Sequence, residues 1–381
     1  AGKTGGATGA AAGAGLRGVV AASSSIGDVN GERGELIYQG YNIHDLAEHS
    51  TFEETVFLLW HGRLPKREEL DALRGELASA MRLPGEVVEL MRAFPRDAEP
   101  MDALRTAVSA LAFYDEGARD LSREGALRTA TRLTAQLPVV VAGFGRLREG
   151  KELIEADPSL NVASNFLYML KGERAAEREA RIFDVCLILH ADHELNASTF
   201  TARVIAGTLA DMYGAVTGAI AALSGPLHGG ANTNVMKMLL EIGSPDRAEE
   251  WLRDALAKKK KIMGFGHRVY KTEDPRSVWL RRFSKEVGEE RGETRWFEIL
   301  ERLRALMFAE KKLYPNVDYY SGSVYYQFGI PLDLFTPIFA VSRISGWTGH
   351  ILEQYANNRL IRPRAEYVGP RGVKYVPIEE R

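Results

Sequence analysis

The sequence predicts an all-α protein with one small β-hairpin near its start. Three observations lead there. Apolar residues recur at helical spacing along most of the chain, Pro and Gly punctuate segments of ordinary helix length, and β-branched runs are few. The one clear strand signal is SSSIGDVNGERGELIYQG, where apolar and polar residues alternate around the turn pair Asn30-Gly31. Ser50 with Glu53 then reads as a capping box. Phe52, Val56 and Leu59 repeat at helical spacing until Gly62 and Pro65 close that segment. Leu280, Phe283 and Val287 continue the pattern further on, as do Ile299, Leu303 and Leu306.

Length and composition bound the function. A chain of 381 residues can bury a large core and is long enough for more than one domain. Its 49 basic and 51 acidic residues leave a formal charge of −2, so no global field points to a nucleic acid or a membrane surface as partner. A single cysteine, Cys186, excludes an intramolecular disulfide framework and fits a reducing compartment. No apolar run approaches a bilayer-spanning length. The Gly/Ala-rich opening, residues 1–13, reads as a flexible tail. Its Gly-Lys-Thr triplet lacks the strand and leading glycine of a phosphate-binding loop, and the tail has neither the basic start nor the apolar core of a secretion signal. The expected location is the cytoplasm.

No internal repeat is evident, but the charge texture changes. From about Glu241 to Lys312 the chain is dense in Lys, Arg and Glu, with four lysines in a row at Lys258 to Lys261. The flanking segments are richer in Ala, Leu and Gly. This pattern suggests a smaller, more charged unit inserted into a larger helical body.

Four stretches could carry chemistry. LILHADHELNASTF places His190 and His193 three apart with Asp192 between them, and at helical spacing the two rings would share a face. Spacing alone leaves metal ligation, substrate binding and a helix-core role open, although the pattern is neither H-E-x-x-H nor H-x-x-E-H and no cysteine supports a metal. His190 suits a core role with its ring bonded to backbone or to a neighbouring histidine. His193, followed by Glu194 and Asn196, is better placed to face a ligand. SGPLHGGAN, KIMGFGHRVYK and YPNVDYYSG set His228, His267 and Asp318 among glycines and aromatics, where the backbone can approach a ligand closely. A single His beside Gly is usually a satisfied loop residue, and a lysine run is usually a solvated helix face.

These four motifs and a fifth further on occur in the order LILHADHELNASTFTARV, GPLHGGAN, IMGFGHRVYKTEDPR, PNVDYYSG and FAVSRISGW, and in that order they resemble the citrate synthase family over nearly the whole chain. The resemblance implies an acyltransferase that condenses acetyl-CoA with oxaloacetate, needing no metal and no redox cofactor. The CoA thioester is a substrate. Asp318 would be the base, His228 the donor to the thioester oxygen, and His267 the group that polarises the ketone. His193, Asn196, His267, Arg276 and Arg343 would hold oxaloacetate. Arg362 would reach the neighbouring subunit's site in a homodimer. Lys258, Lys261 and the stretch Gly264, Phe265, Gly266 would contact CoA. The resemblance further implies a large domain of residues 1–228 and 329–381, and a small mobile domain, 229–328, that closes over the substrates. The lack of a further N-terminal domain resembles the short, dimeric members. The family also includes 2-methylcitrate synthases, which take propionyl-CoA. A non-catalytic helical scaffold and a metallohydrolase are the rivals from other classes.

Overall fold

The computed structural model describes residues 14–16 and 18–381. The Gly/Ala-rich opening, with its Gly-Lys-Thr triplet, lies outside the described residues. Strands β1 (Gly27–Asn30), β2 (Glu35–Tyr38) and β3 (Tyr41–Asn42) form one antiparallel sheet in that order. Gly27 pairs with Tyr38 and Asn30 with Glu35. The turn sits where the Asn30-Gly31 pair predicts, but it is wider than two residues. The Asn30 side chain accepts the Arg33 N–H at 3.0 Å and Gly34 takes φ 63°, so residues 31–34 make the loop.

The first ten helices follow: α1 (Ile43–His49), α2 (Phe52–His61), α3 (Arg67–Ala80), α4 (Gly85–Arg92), α5 (Pro100–Leu111), α6 (Arg123–Leu147), α7 (Val162–Lys171), α8 (Glu177–His190), α9 (Ala197–Ala206) and α10 (Met212–Leu223). Then come α11 (Ala231–Ile242), α12 (Ala248–Ala257), α13 (Pro275–Arg291), α14 (Arg295–Lys311), α15 (Val317–Gln327) and α16 (Phe335–Ala356). The chain is therefore all-α apart from the small sheet. The capping box of α2 lies one residue later than Ser50 and Glu53 suggest. Thr51 and Glu54 exchange the bonds, at 3.3 and 2.8 Å, because Ser50 closes α1 and Glu53 turns inward to accept the Val162 N–H at 2.8 Å. Gly62, at φ 73°, ends α2 as expected.

Helix α16 is the axis of the large helical body. Every residue from Ala340 to Leu352 is buried, and the helix packs against α2, α6, α8, α9 and α10. It is buried on all its faces, polar residues such as Arg343 and His350 included, and so lies in the core. Helices α11 to α15 pack chiefly on one another, with α13 and α11 both against α15. This group meets the rest through a few directed contacts. Trp279 Nε1–H donates to His44 Nδ1 at 2.8 Å, Arg178 pairs with Glu286 at 2.8 Å, and Arg291 pairs with Glu179 at 2.8 Å. The hairpin tip joins in, since the Lys271 N–H donates to the Gly31 carbonyl at 3.0 Å. A Cβ at Gly31 would stand 2.1 Å from the Val269 carbonyl oxygen, so only glycine allows this approach. Among the described residues, no helix is long and apolar enough to cross a membrane.

Candidate active site

The buried second half of helix α8 ends at His190, whose Nδ1–H donates to the Cys186 carbonyl at 2.8 Å. Its Nε2 is buried without a partner among the described residues. His190 thus has the backbone-bonded core position read from the sequence. The expectation that His190 and His193 share a helix face is not met, because the helix stops between them. Asp192 accepts the Glu194 N–H at 3.1 Å, Glu194 takes φ 55°, and Asn196 caps α9 by accepting the Thr199 N–H at 3.1 Å. Such side-chain bonds to nearby backbone compete with helix continuation. His193 therefore projects from a turn. Its ring centroid is 5.1 Å from that of His267, and its Nε2 is 3.2 Å from the Tyr270 hydroxyl.

Backbone donors set the proton positions on the two glycine-flanked histidines. The N–H of Ser198, in the first turn of α9, donates to His228 Nε2 at 3.2 Å, and Ser198 Oγ lies 2.8 Å from the same atom. A nitrogen that accepts from an amide carries no proton, so His228 presents Nδ1–H. His267 is the mirror case. Its Nδ1 accepts from Val269 N–H at 3.0 Å and Tyr270 N–H at 3.1 Å, so it presents Nε2–H. Burial, aided by the positive charge of Arg343, pushes His228 down to about 4. Burial and Arg276 push His267 down to about 4, against a weaker opposing pull from Asp274. His193 is held well below the ordinary imidazole value by burial, then by Arg276 and His267. All three rings are neutral donors or acceptors at neutral pH.

Two arginines flank these rings. Asp274 caps α13 and grips Arg276 side-on, accepting from Nε at 2.9 Å and Nη2 at 2.8 Å. The Asp-Pro-Arg sequence favours this arrangement, with Pro275 at the first helical position and Asp274 as cap. Burial alone would raise the Asp274 carboxyl, but the Arg276 charge outweighs it and holds the group below its ordinary value. Arg343 projects from α16, donates from Nε to the His190 carbonyl at 2.7 Å, and lies over the Phe339 ring at 4.7 Å. It forms no ion pair among the described residues. Burial lowers it to about 10, which leaves it cationic at neutral pH. A buried guanidinium without a counter-ion is a seat for an incoming carboxylate.

Asp318 opens α15. Asn316 caps that helix by accepting the Asp318 N–H at 3.0 Å, and it is clipped to the glycine stretch beside it. The Asn316 N–H donates to the Gly264 carbonyl at 2.9 Å, the Asn316 side-chain amide to the Gly266 carbonyl at 3.0 Å, and the Gly266 N–H to the Tyr314 carbonyl at 2.9 Å. Phe265 bridges Pro315 in the same ladder. The Asp318 carboxylate accepts no hydrogen bond from a described residue. Burial pushes it up to about 6, with Arg276 opposing and Asp274 adding. A carboxylate with its pKa near neutral and free lone pairs is suited to act as a base.

Other expected residues lie apart from this cluster. Lys258 pairs with Asp254 at 2.7 Å, and Lys261 is exposed. The lysine run follows the end of α12, with Lys259 at φ 55°, and so is not a helix face. Arg362 is exposed on the irregular stretch after α16 and makes no hydrogen bond to the cluster. Three supporting residues were not singled out from the sequence: Ser198 under His228, Tyr270 beside His193, and Asp274 behind Arg276. Of these only Asp274 has a local signal, as an Asp-Pro helix start. Among the described residues, no group of three or more His, Cys, Asp or Glu side chains is arranged to hold a metal ion.

Residues 15–364 match the family model described as citrate synthase, C-terminal domain. The chain belongs to the citrate synthase family. It is 53% identical over 368 residues to citrate synthase 2 of Bacillus subtilis, covering 96% of this chain and 98% of that protein. It is 42% identical over 372 residues to 2-methylcitrate synthase 2 of Corynebacterium glutamicum, covering 96% and 97%. Among solved structures, citrate synthase of Thermoplasma acidophilum in a ternary complex with carboxymethyl coenzyme A and oxaloacetate matches at TM-score 0.91 and 35% identity, covering 97% and 99%. Citrate synthase of Pyrobaculum aerophilum matches at TM-score 0.90 and 42% identity, covering 97% and 95%. The protein is therefore an enzyme, a transferase of the citrate synthase family. Its relatives carry both citrate synthase and 2-methylcitrate synthase names, so membership alone leaves the acyl donor open.

Proposed function

We propose that the enzyme condenses acetyl-CoA with oxaloacetate and water to give citrate and CoA, the entry step of the citric acid cycle. The observation that carries this reading is the opposed proton placement on His228 and His267, together with an unbonded carboxylate, Asp318, that feels the same two buried arginines, Arg276 and Arg343. A thioester methyl is a very weak acid, so its proton can leave only if the base and a donor to the developing enolate act together. Asp318 takes that proton while His228 Nδ1–H donates to the thioester oxygen. The methylene carbon then attacks the ketone carbon of oxaloacetate. His267 Nε2–H polarises the ketone and protonates the new alkoxide. Water then cleaves the thioester, releasing CoA as its thiol. Arg276 and Arg343 receive the two carboxylates, and His193 and Asn196 orient the keto acid.

Three further assignments belong to the same reading. Residues 229–328 close as a unit about hinges at GPLHGGAN and YYQFGIP, excluding water while the enolate exists. CoA phosphates lie near Lys258 and Lys261, with the thioester arm along Gly264, Phe265 and Gly266. The irregular stretch after α16 exposes Leu360, Tyr367, Val368, Tyr375 and Ile378. These residues would lie on a second copy of the chain, bringing Arg362 to that copy's site in a homodimer. The lone Cys186, buried and unpaired, suits a cytoplasmic enzyme.

The test is release of free CoA thiol from purified protein with oxaloacetate and EDTA, with acetyl-CoA and propionyl-CoA run in parallel. Fast release from acetyl-CoA, unaffected by chelator, is expected. One methylene in an apolar pocket discriminates by only about 1–3 kcal/mol. A preference for propionyl-CoA would make the enzyme a 2-methylcitrate synthase with the same residues in the same roles. No release from either donor would overturn the reading.

A further inference from the structure

We propose that Asp192, His350, Arg203 and Glu353 form a buried positioning network that sets the keto-acid half of the site, an inference that rests on the reading of that site given above. None of the four touches a reacting atom in that mechanism. Asp192 is fully buried in the turn between His190 and His193. Its Oδ1 accepts from His350 Nε2–H at 3.1 Å, and its Oδ2 accepts the Glu194 N–H at 3.1 Å. Two glycines clear space for this carboxylate. A Cβ on Gly27 would stand 2.6 Å from Oδ2, and one on Gly346 would stand 2.7 Å from Oδ1. Within α16 the Gly346 N–H also reaches the Ala191 carbonyl, at 3.1 Å.

The chain of bonds runs on from His350 and has a single direction. A guanidinium can only donate, so the 3.1 Å contact between Arg203 Nη1 and His350 Nδ1 makes that nitrogen an acceptor. The proton of His350 is thereby placed on Nε2, facing Asp192. Arg203 in turn donates from Nε to Gln354 Oε1 at 3.0 Å and from Nη1 to the Glu353 carboxylate. The other Glu353 oxygen accepts the Ser25 N–H at 2.8 Å.

Each member sits on an element that presents a keto-acid group. Asp192 holds Glu194 in its left-handed conformation, and Glu194 adjoins His193. His350 lies two turns beyond Arg343 on α16, and so on the same face. Arg203 lies two turns along α9 from Asn196, in the helix whose Ser198 bonds His228. The three elements that supply His193, Asn196 and Arg343 therefore meet at one set of buried polar bonds. For stability alone, apolar side chains of the same volume would serve as well, since burying charge is expensive. What such a network adds is orientation.

The experiment compares His350→Leu, His350→Gln and Glu353→Gln with the unmodified enzyme, measuring both KM values, kcat and the Kd for oxaloacetate by calorimetry. His350→Leu should raise KM and Kd for oxaloacetate on the order of tenfold while leaving KM for acetyl-CoA within about twofold. His350→Gln keeps a donor and an acceptor and should recover most of that loss. Glu353→Gln, at the outer, part-exposed end, should show a smaller change in the same direction, and it is read if His350→Leu fails to fold. Equal effects on both substrates, or a fall in kcat alone that follows the loss of folded protein, would overturn the proposal. Oxaloacetate binding without thiol release from either thioester would overturn the functional reading but not the network, because the shift in Kd still tests the latter.

Discussion

Replacing Asp318 with Asn should greatly slow turnover and make the fold more stable. The carboxyl is held at about 6 in the structure, against an ordinary value near 3.8, and burial is the main cause. The sign follows from linkage. Between those values the folded protein binds more protons than the unfolded chain, so stability falls as pH rises through the window. Above about pH 6 the whole penalty is present, at most about 3 kcal/mol for a shift of roughly two units. Near pH 5 about half of it remains. Asp318 is only part-buried by area, and water reaching the free carboxylate reduces the realised value to about 1–2 kcal/mol. Asn has the same shape and no charge to desolvate. Urea unfolding of both proteins near pH 7.5 and near pH 5 reads the difference, which should shrink on acidification, while thiol release from acetyl-CoA should fall by about 10²–10⁴-fold. A variant that is inactive but no more stable at the higher pH, or equally more stable at both, would refute the account of Asp318 as a desolvated base.

Three other results are expected. With oxaloacetate saturating, kcat/KM for acetyl-CoA should fall with unit slope as pH drops through about 6, where Asp318 takes up its proton, and the histidines should add nothing until about pH 4. Ser198→Ala should lower kcat by about fivefold through loosened support of His228, and lower stability by about 1–3 kcal/mol because Trp347 Nε1–H loses its acceptor; steady-state kinetics and denaturant titration read the two effects separately. Gly264→Ala places a Cβ 2.6 Å from Tyr319 at a backbone φ of 82°, and should lower the unfolding free energy by at least about 2 kcal/mol. An effect below about 0.5 kcal/mol would mean that the 264–266 stretch is not the fixed clip described above.

Much of this architecture is legible in the sequence because its signals are local. Helical spacing marks α2, α13 and α14, Gly62 marks an end, and glycines beside His228 and His267 mark two loops of the candidate site. The errors arise where a local signal meets a distant partner. Glu53 has the right spacing to cap α2 but is drawn inward by the Val162 amide, 109 positions away. The interval of three between His190 and His193 suggests a shared face until Asp192 and Asn196 bond their own backbone and stop the helix. Ser198 and Tyr270 carry no motif of their own. Their roles come from His228 and His193, which folding brings beside them from 30 and 77 positions away.

The burial of α16 has a consequence for how the protein is made. This last long helix fills the centre of the large body, and its Arg343 meets the His190 carbonyl across 153 positions of chain. During vectorial synthesis the groove among α6, α8, α9 and α10 stands empty while α11 to α15 emerge, and those five helices can pack on one another in the meantime. The larger body can close only when the chain to Leu352 has left the ribosome. Until then its apolar walls face water, so a chaperone that shields the groove would act on the nascent chain between α10 and α16.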